Sequence, residues 1–187
     1  PRNHSSAASD VYKRQRYHLY VSHACPWAHR TVLARNLLGL EHHVSVDVVD
    51  WRMNDDGSWS FNPEEPGATV DSVNGEDHLE AVYRRAYAAW TAEGNFGTVP
   101  VLCDKKTGTI VNNESRDIIR MFGTLARGVG SASTLCPEEL TAAIDTMITA
   151  NYETVNNGVY KSGFARNQSA YEEAVNGLFN RLDELDE

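Results

Sequence analysis

A strand-like stretch, Tyr17 to Val21, runs within a few residues into Cys25-Pro26 and then into a helix-like stretch ending near Leu38. That junction calls for a strand followed at once by a helix, the opening of a layered α/β domain. Pro26 suits the first helical position, because its missing N–H would have lacked a partner there anyway. Gly39 stands where helices commonly end. Cys25 is thereby placed at the positive end of a helix, where negative charge is favoured and cysteines become reactive. Ala28 occupies the place of the second cysteine of a Cys-x-x-Cys pair, so this thiol has no neighbour with which to close a disulfide. The pattern points to one-thiol chemistry with an outside thiol as second partner. The competing reading is a buried cysteine beside a helix start.

The periodicity further along extends the α/β pattern. Val44, Val46 and Val48 alternate with Ser45 and Asp47, which predicts a half-buried strand. Residues 50–75 are rich in Asn, Asp, Gly, Pro and Ser and read as a long loop, and a loop of that length is functional or disordered. Trp51, Trp59 and Phe61 inside it favour function or packing. A helix is expected over Asp77 to Trp90, and a strand over Thr98 to Cys103. A hairpin turn is expected at Lys105-Lys106-Thr107-Gly108, a returning strand over Ile110 to Asn112, and a helix beginning at Ser115 and carrying through Phe122. The order β-α-β-α-β-β-α predicts a small mixed sheet with helices packed on it. After Gly123 the composition shifts. Leu125 to Ser133, rich in Gly, Ala and Ser, reads as linker. Pro137-Glu138-Glu139 opens a helix with its acids in the first turn. Ile144, Met147, Ile148 and Tyr152 fall at helical spacing, and Ala170 to Glu187 reads as an amphipathic helix. The expected organisation is an α/β domain over 16–123, a linker over 124–136, and the start of a truncated helical domain over 137–187.

Composition excludes several classes. A formal net charge of −9 argues against a general nucleic-acid binder, and no apolar run approaches the roughly 20 residues that span a bilayer. Cys25, Cys103 and Cys136 are widely spaced and odd in number, a poor disulfide framework and a poor metal site, so a reducing, cytoplasmic setting is expected. Residues 1–15 are polar, lack an apolar period and meet Arg16-Tyr17 abruptly. Asp10-Val11-Tyr12-Lys13-Arg14-Gln15 is also the translation of GAT-GTG-TAT-AAG-AGA-CAG, a transposon-end adaptor, so this tract is read as non-native.

Several motifs together resemble the glutathionyl-hydroquinone reductases, the Xi class of Cys-type glutathione transferases. They are Arg16-Tyr17-His18-Leu19-Tyr20-Val21-Ser22 with Ala24-Cys25-Pro26-Trp27-Ala28-His29-Arg30, then Pro66-Gly67-Ala68-Thr69, Thr98-Val99-Pro100-Val101-Leu102, Asn113-Glu114-Ser115 and Thr154-Val155-Asn156-Asn157-Gly158-Val159-Tyr160. The resemblance implies a thioredoxin-like N-terminal domain followed by an incomplete all-α glutathione-transferase C-terminal domain. It implies glutathione as co-substrate, glutathionyl-hydroquinones as substrates, no metal, and a homodimer.

By the same resemblance, the Cys25 thiolate attacks the glutathionyl sulfur and the hydroquinone leaves. A second glutathione then resolves the mixed disulfide by thiol–disulfide exchange. Glu114 and Ser115 would hold the γ-glutamyl group at a helix start, where free N–H groups favour a carboxylate, though Ser115 also reads as a plain N-cap. Val99, before a proline that is cis in thioredoxin-like folds, would present its backbone to the cysteinyl part of glutathione. Trp59 matches a loop tryptophan that contacts glutathione, with Trp51 its rival, and Tyr160 matches a tyrosine facing the aromatic substrate. His29 and Arg30 read as packing or surface-pairing residues, because a helix-terminus effect fades within a turn. Cys103 and Cys136 read as structural or incidental. The alternatives are another Cys-type activity, reducing dehydroascorbate or mixed disulfides, or a non-catalytic glutathione-fold module.

Overall fold

A computed structural model describes residues 15–87, 97–131 and 134–187. The tract read as adaptor-derived, Gln15 apart, and the end of the helix expected over Asp77 to Trp90 lie outside the described residues. The chain divides into two compact units between Leu135 and Cys136.

The first unit is built on a four-stranded mixed sheet in the order β2-β1-β3-β4. The strands are β1 (Tyr17–Ser22), β2 (Val44–Val49), β3 (Val101–Asp104) and β4 (Thr109–Asn112). β1 runs parallel to β2 and antiparallel to β3, and β3 antiparallel to β4. The helices of this unit are α1 (Pro26–Leu37), α2 (Leu79–Ala86) and α3 (Ser115–Gly128). The order β-α-β-α-β-β-α is the one expected.

β1 is more buried than its sequence suggests, because it lies inside the sheet with both faces covered. Leu19, Tyr20, Val21 and also His18 are fully buried. Alternation sends His18 and Tyr20 to one side, where polar partners from β2 and the long loop receive them. The Tyr20 hydroxyl donates to Asp71 at 2.8 Å, and the Tyr20 ring meets Phe61 edge-on. His18 Nδ1 lies 2.7 Å from the Ser45 hydroxyl, and its Nε2 stands 3.2 Å from the Asp47 carboxylate. Burial raises the pKa of Asp47, but the neighbouring His18 and two hydrogen bonds from Ser72 outweigh it and hold the carboxyl below its ordinary value.

The start of β3 and the end of α3 differ from expectation for physical reasons. β3 begins at Val101 rather than Thr98, since Pro100 has no N–H to give a ladder. The Val99–Pro100 bond is cis. α3 does not give way to linker at residue 124 but continues to Gly128, because Ala126 extends the buried stripe of Ile118 and Phe122 by one more turn. Ala126 is small and fully buried, so its composition reflects packing rather than a flexible connection. Ser131 is also tied back to this unit, its hydroxyl donating to the Leu38 carbonyl. Residues 132–133 are outside the described residues.

The second unit holds a short 3-10 turn (Glu138–Leu140), α4 (Thr141–Asn151), a π-helical turn (Tyr152–Asn156), α5 (Gly158–Gly163) and α6 (Gln168–Asp186). The last helix starts two residues before the expected Ala170, where the Asn167 side chain accepts from the Ala170 N–H as an N-cap. Gly158 is buried, and a methyl group there would meet Leu178 of α6 at 3.6 Å, ordinary contact distance. Arg181 of α6 donates to the Asn151 side chain at the end of α4.

Candidate active site

Cys25 is the N-cap residue of α1, in extended backbone, and its carbonyl accepts the His29 N–H at 2.9 Å. Its side chain makes no capping bond, so the sulfur is available for other work. The thiol lies 3.6 Å from the Val99 carbonyl oxygen, toward which it donates, and is partly exposed. Ala28, one turn on, is fully buried beneath it in the helix.

A cleft of about 470 Å³ opens beside the thiol. Met53, Asp55, Asp56 and Trp59 of the long loop line it with Cys25, and Gly97, Thr98 and Val99 complete it. The loop is held by its own polar groups. The Asn54 amide donates to the Ser58 and Ser60 hydroxyls, each at 2.8 Å, and Asp56 accepts from the Ser58 N–H and hydroxyl. Those two bonds hold the Asp56 carboxyl below its ordinary value. The Trp59 carbonyl accepts the Leu79 N–H, which fixes the indole's backbone against the start of α2.

The segment after residue 96 is held as firmly. Tyr83 of α2 donates its hydroxyl to the Thr98 carbonyl at 2.9 Å, and the Asn113 amide donates to the Thr98 hydroxyl at 3.1 Å. A methyl group on Gly97 would come within 3.2 Å of the Tyr83 ring, so this position keeps the chain close to α2. Of the two loop tryptophans, Trp59 lines the cleft. Trp51 is 56% exposed and donates its indole N–H to Glu65.

At the start of α3, Glu114 is the N-cap, its carboxylate accepting the Arg116 N–H at 3.1 Å. Ser115 is therefore not the cap that it could have been. It is the first helical residue, it is buried, and its hydroxyl accepts from Arg30. Sequence reasoning left Arg30 as a packing or surface-pairing residue. It does pair, but with the acid and the serine of the candidate glutathione site. His29 is exposed. Asp55, Asp56 and Met53 were also passed over, since nothing local in a polar loop distinguishes cleft-facing residues from others.

Cys103 is buried in β3, and burial pushes its thiol up to about 12, which leaves it unreactive. Cys136 is partly exposed near the Thr141 hydroxyl. Tyr160 belongs to the second unit, on α5, where its ring stacks on Phe164 with centroids 6.4 Å apart. Among the described residues no group of three or more His, Cys, Asp or Glu side chains is placed to hold a metal, and no helix is long and apolar enough to cross a membrane.

The comparisons with known proteins agree with this architecture. Residues 24–125 match the family model described as the glutathione S-transferase N-terminal domain. The chain is 47% identical over 178 residues to the glutathionyl-hydroquinone reductase YqjG of Escherichia coli, covering 95% of this chain and 53% of that protein. It is 45% identical over 173 residues to the glutathionyl-hydroquinone reductase PcpF of Sphingobium chlorophenolicum, covering 92% and 54%. Among solved structures, the glutathione-bound form of YqjG superposes with a TM-score of 0.86 at 48% identity, covering 92% of this chain and 55% of that one. The Xi-class glutathione transferase of Natrialba magadii gives the same TM-score and identity, covering 92% and 53%. The chain thus spans about half the length of the curated relatives it matches. By its thioredoxin-like sheet and the match over residues 24–125, this chain belongs to the glutathione S-transferase family.

Proposed function

We propose that this chain carries the glutathione site and the nucleophile of a glutathionyl-hydroquinone reductase. The observation that carries the reading is the Cys25 thiol, at a helix N-terminus, 3.6 Å from the Val99 carbonyl and beside a cleft shared with Trp59. The similarity to two proteins named glutathionyl-hydroquinone reductases supports the choice of substrate.

In this reading the Cys25 thiolate attacks the sulfur of the glutathionyl-hydroquinone. The sulfur–sulfur bond forms as the carbon–sulfur bond breaks, and the aromatic carbon takes up a proton. The hydroquinone departs and glutathione remains on Cys25 as a mixed disulfide. A second glutathione thiolate attacks that disulfide, releases oxidised glutathione and restores Cys25. Ala28 leaves no thiol at the second position of a Cys-x-x-Cys pair to compete with this second step. Val99 meets the cysteinyl backbone of glutathione, Trp59 packs on it, and Glu114 and Ser115 take its γ-glutamyl group at the start of α3. Tyr160 serves the aromatic substrate as a hydrogen-bonding or proton-donating phenol. The homodimer and the cytoplasmic setting expected from the sequence belong to this same proposal.

The test is intact-mass analysis of the chain after mixing with a glutathionyl-hydroquinone. The expected result is one glutathione added, release of hydroquinone, and loss of both in Cys25→Ser. An adduct formed from oxidised glutathione but none from the aromatic conjugate would overturn the substrate assignment in favour of mixed-disulfide reduction.

A further inference from the structure

Arg30 joins two elements that the sequence keeps far apart. It sits on α1 five residues after Cys25, and its guanidinium reaches the start of α3. Its Nε–H and one Nη2–H both donate to the Ser115 hydroxyl oxygen, at 2.9 and 2.6 Å, and Nη2 lies 3.5 Å from the Glu114 carboxylate. The guanidinium also lies over the Trp27 ring, 4.7 Å from its centroid, which fixes its plane. The arrangement is a planar fork held on both sides rather than a mobile surface cation.

The count of hydrogen bonds at Ser115 has a chemical consequence. A hydroxyl accepts at two lone pairs and donates one proton. Arg30 supplies two donors, and the one remaining role is donation, which the hydroxyl makes to Glu114 at 3.3 Å. Arg30 therefore leaves the Ser115 hydroxyl able only to donate, to Glu114 as it stands and to a ligand carboxylate that takes Glu114's place as acceptor, and it sets a cation beside the Glu114 carboxylate at the start of α3. We infer that Arg30 is a positioning residue of the γ-glutamyl subsite, acting through Ser115 to select a ligand bearing a free α-carboxylate. This inference rests on the proposed glutathione site at Glu114 and Ser115. Without Arg30, Ser115 could equally accept a bond, and the Glu114 carboxylate would lose the cation that offsets it, so the subsite would lose its preference for an anion.

The test compares glutathione with 4-aminobutanoyl-cysteinylglycine, which lacks only the α-carboxylate, by calorimetric binding to this chain and to Arg30→Gln and Arg30→Lys. The wild type should prefer glutathione by about tenfold or more, the scale of a charge-assisted hydrogen bond. Arg30→Gln should shrink the preference to about twofold, and Arg30→Lys should keep part of it, because charge is retained and the fork is not. Circular dichroism of each variant checks folding. A merely structural role predicts that Arg30→Gln weakens both ligands alike with their ratio intact, and that result would overturn the inference while leaving the glutathione site standing. A wild type that binds neither ligand would overturn the site itself and this inference with it.

Discussion

Replacing Tyr20 by Phe removes one hydroxyl and tests how the long loop is anchored. Tyr20 is fully buried, and its hydroxyl donates to Asp71 at 2.8 Å while accepting from the Asn74 amide at 3.1 Å. Burial first, then the Asp71 charge, pushes the phenol's pKa upward, so it remains a donor across the working range. Asp71 is itself only 4% exposed, and its carboxylate also accepts the N–H groups of Val73, Asn74 and Glu76. Phe leaves those three bonds in place and costs one charge-assisted bond, about 1.5–2 kcal/mol. Asn74 is exposed, and water replaces its lost partner. With a urea slope of about 2 kcal/mol/M, the unfolding midpoint should fall by roughly 0.8–1 M. All four tryptophans of the chain precede Leu135, so indole fluorescence follows the first unit alone. Asp71→Ala removes every one of these bonds and should cost more than Tyr20→Phe. A midpoint shift below about 0.2 M in Tyr20→Phe would refute the claim that this buried bond anchors the loop.

Three further outcomes are expected. Phe122→Ala, at a residue 1% exposed in the middle of the α3 stripe, should destabilise the first unit by about 3–5 kcal/mol, read from the same urea transition. Trp59→Ala should raise the glutathione concentration needed for half-maximal turnover while Trp51→Ala leaves it near wild type, because only the former lines the cleft; equal effects would show that the loop acts as a unit. Asp47 and Asp104 both titrate below their ordinary values in the folded chain, Asp104 chiefly through its hydrogen bonds with Arg16. Their contribution is fully present above the unfolded carboxylate value of about 3.9 and is lost as pH falls through the lower folded values, so the urea midpoint should drop below about pH 4. Asp104→Asn should flatten that drop.

Local chemistry carried much of this protein into view from its sequence. The strand, Cys25, Pro26 and helix junction needs only short-range rules, and so do the alternation of Val44 to Val48 and the turn closed by Gly108 at φ +68°. Those rules ask which backbone states a residue permits and which face it offers, and neighbours in the chain answer both. Tertiary structure decided what depends on distant partners. Ala126 is core rather than linker only because α3 buries it. His18 and Tyr20 are interior only because the sheet is covered on the side where Asp47 and Asp71 receive them. That Trp59 rather than Trp51 lines the cleft depends on how the long loop folds beside Cys25. Arg30 reached Ser115 across 85 residues of sequence because α1 and α3 pack together, and no periodicity within either helix encodes that meeting. Sequence spacing specifies local geometry, whereas a bond between remote side chains exists only once burial has paid the entropy of bringing them together.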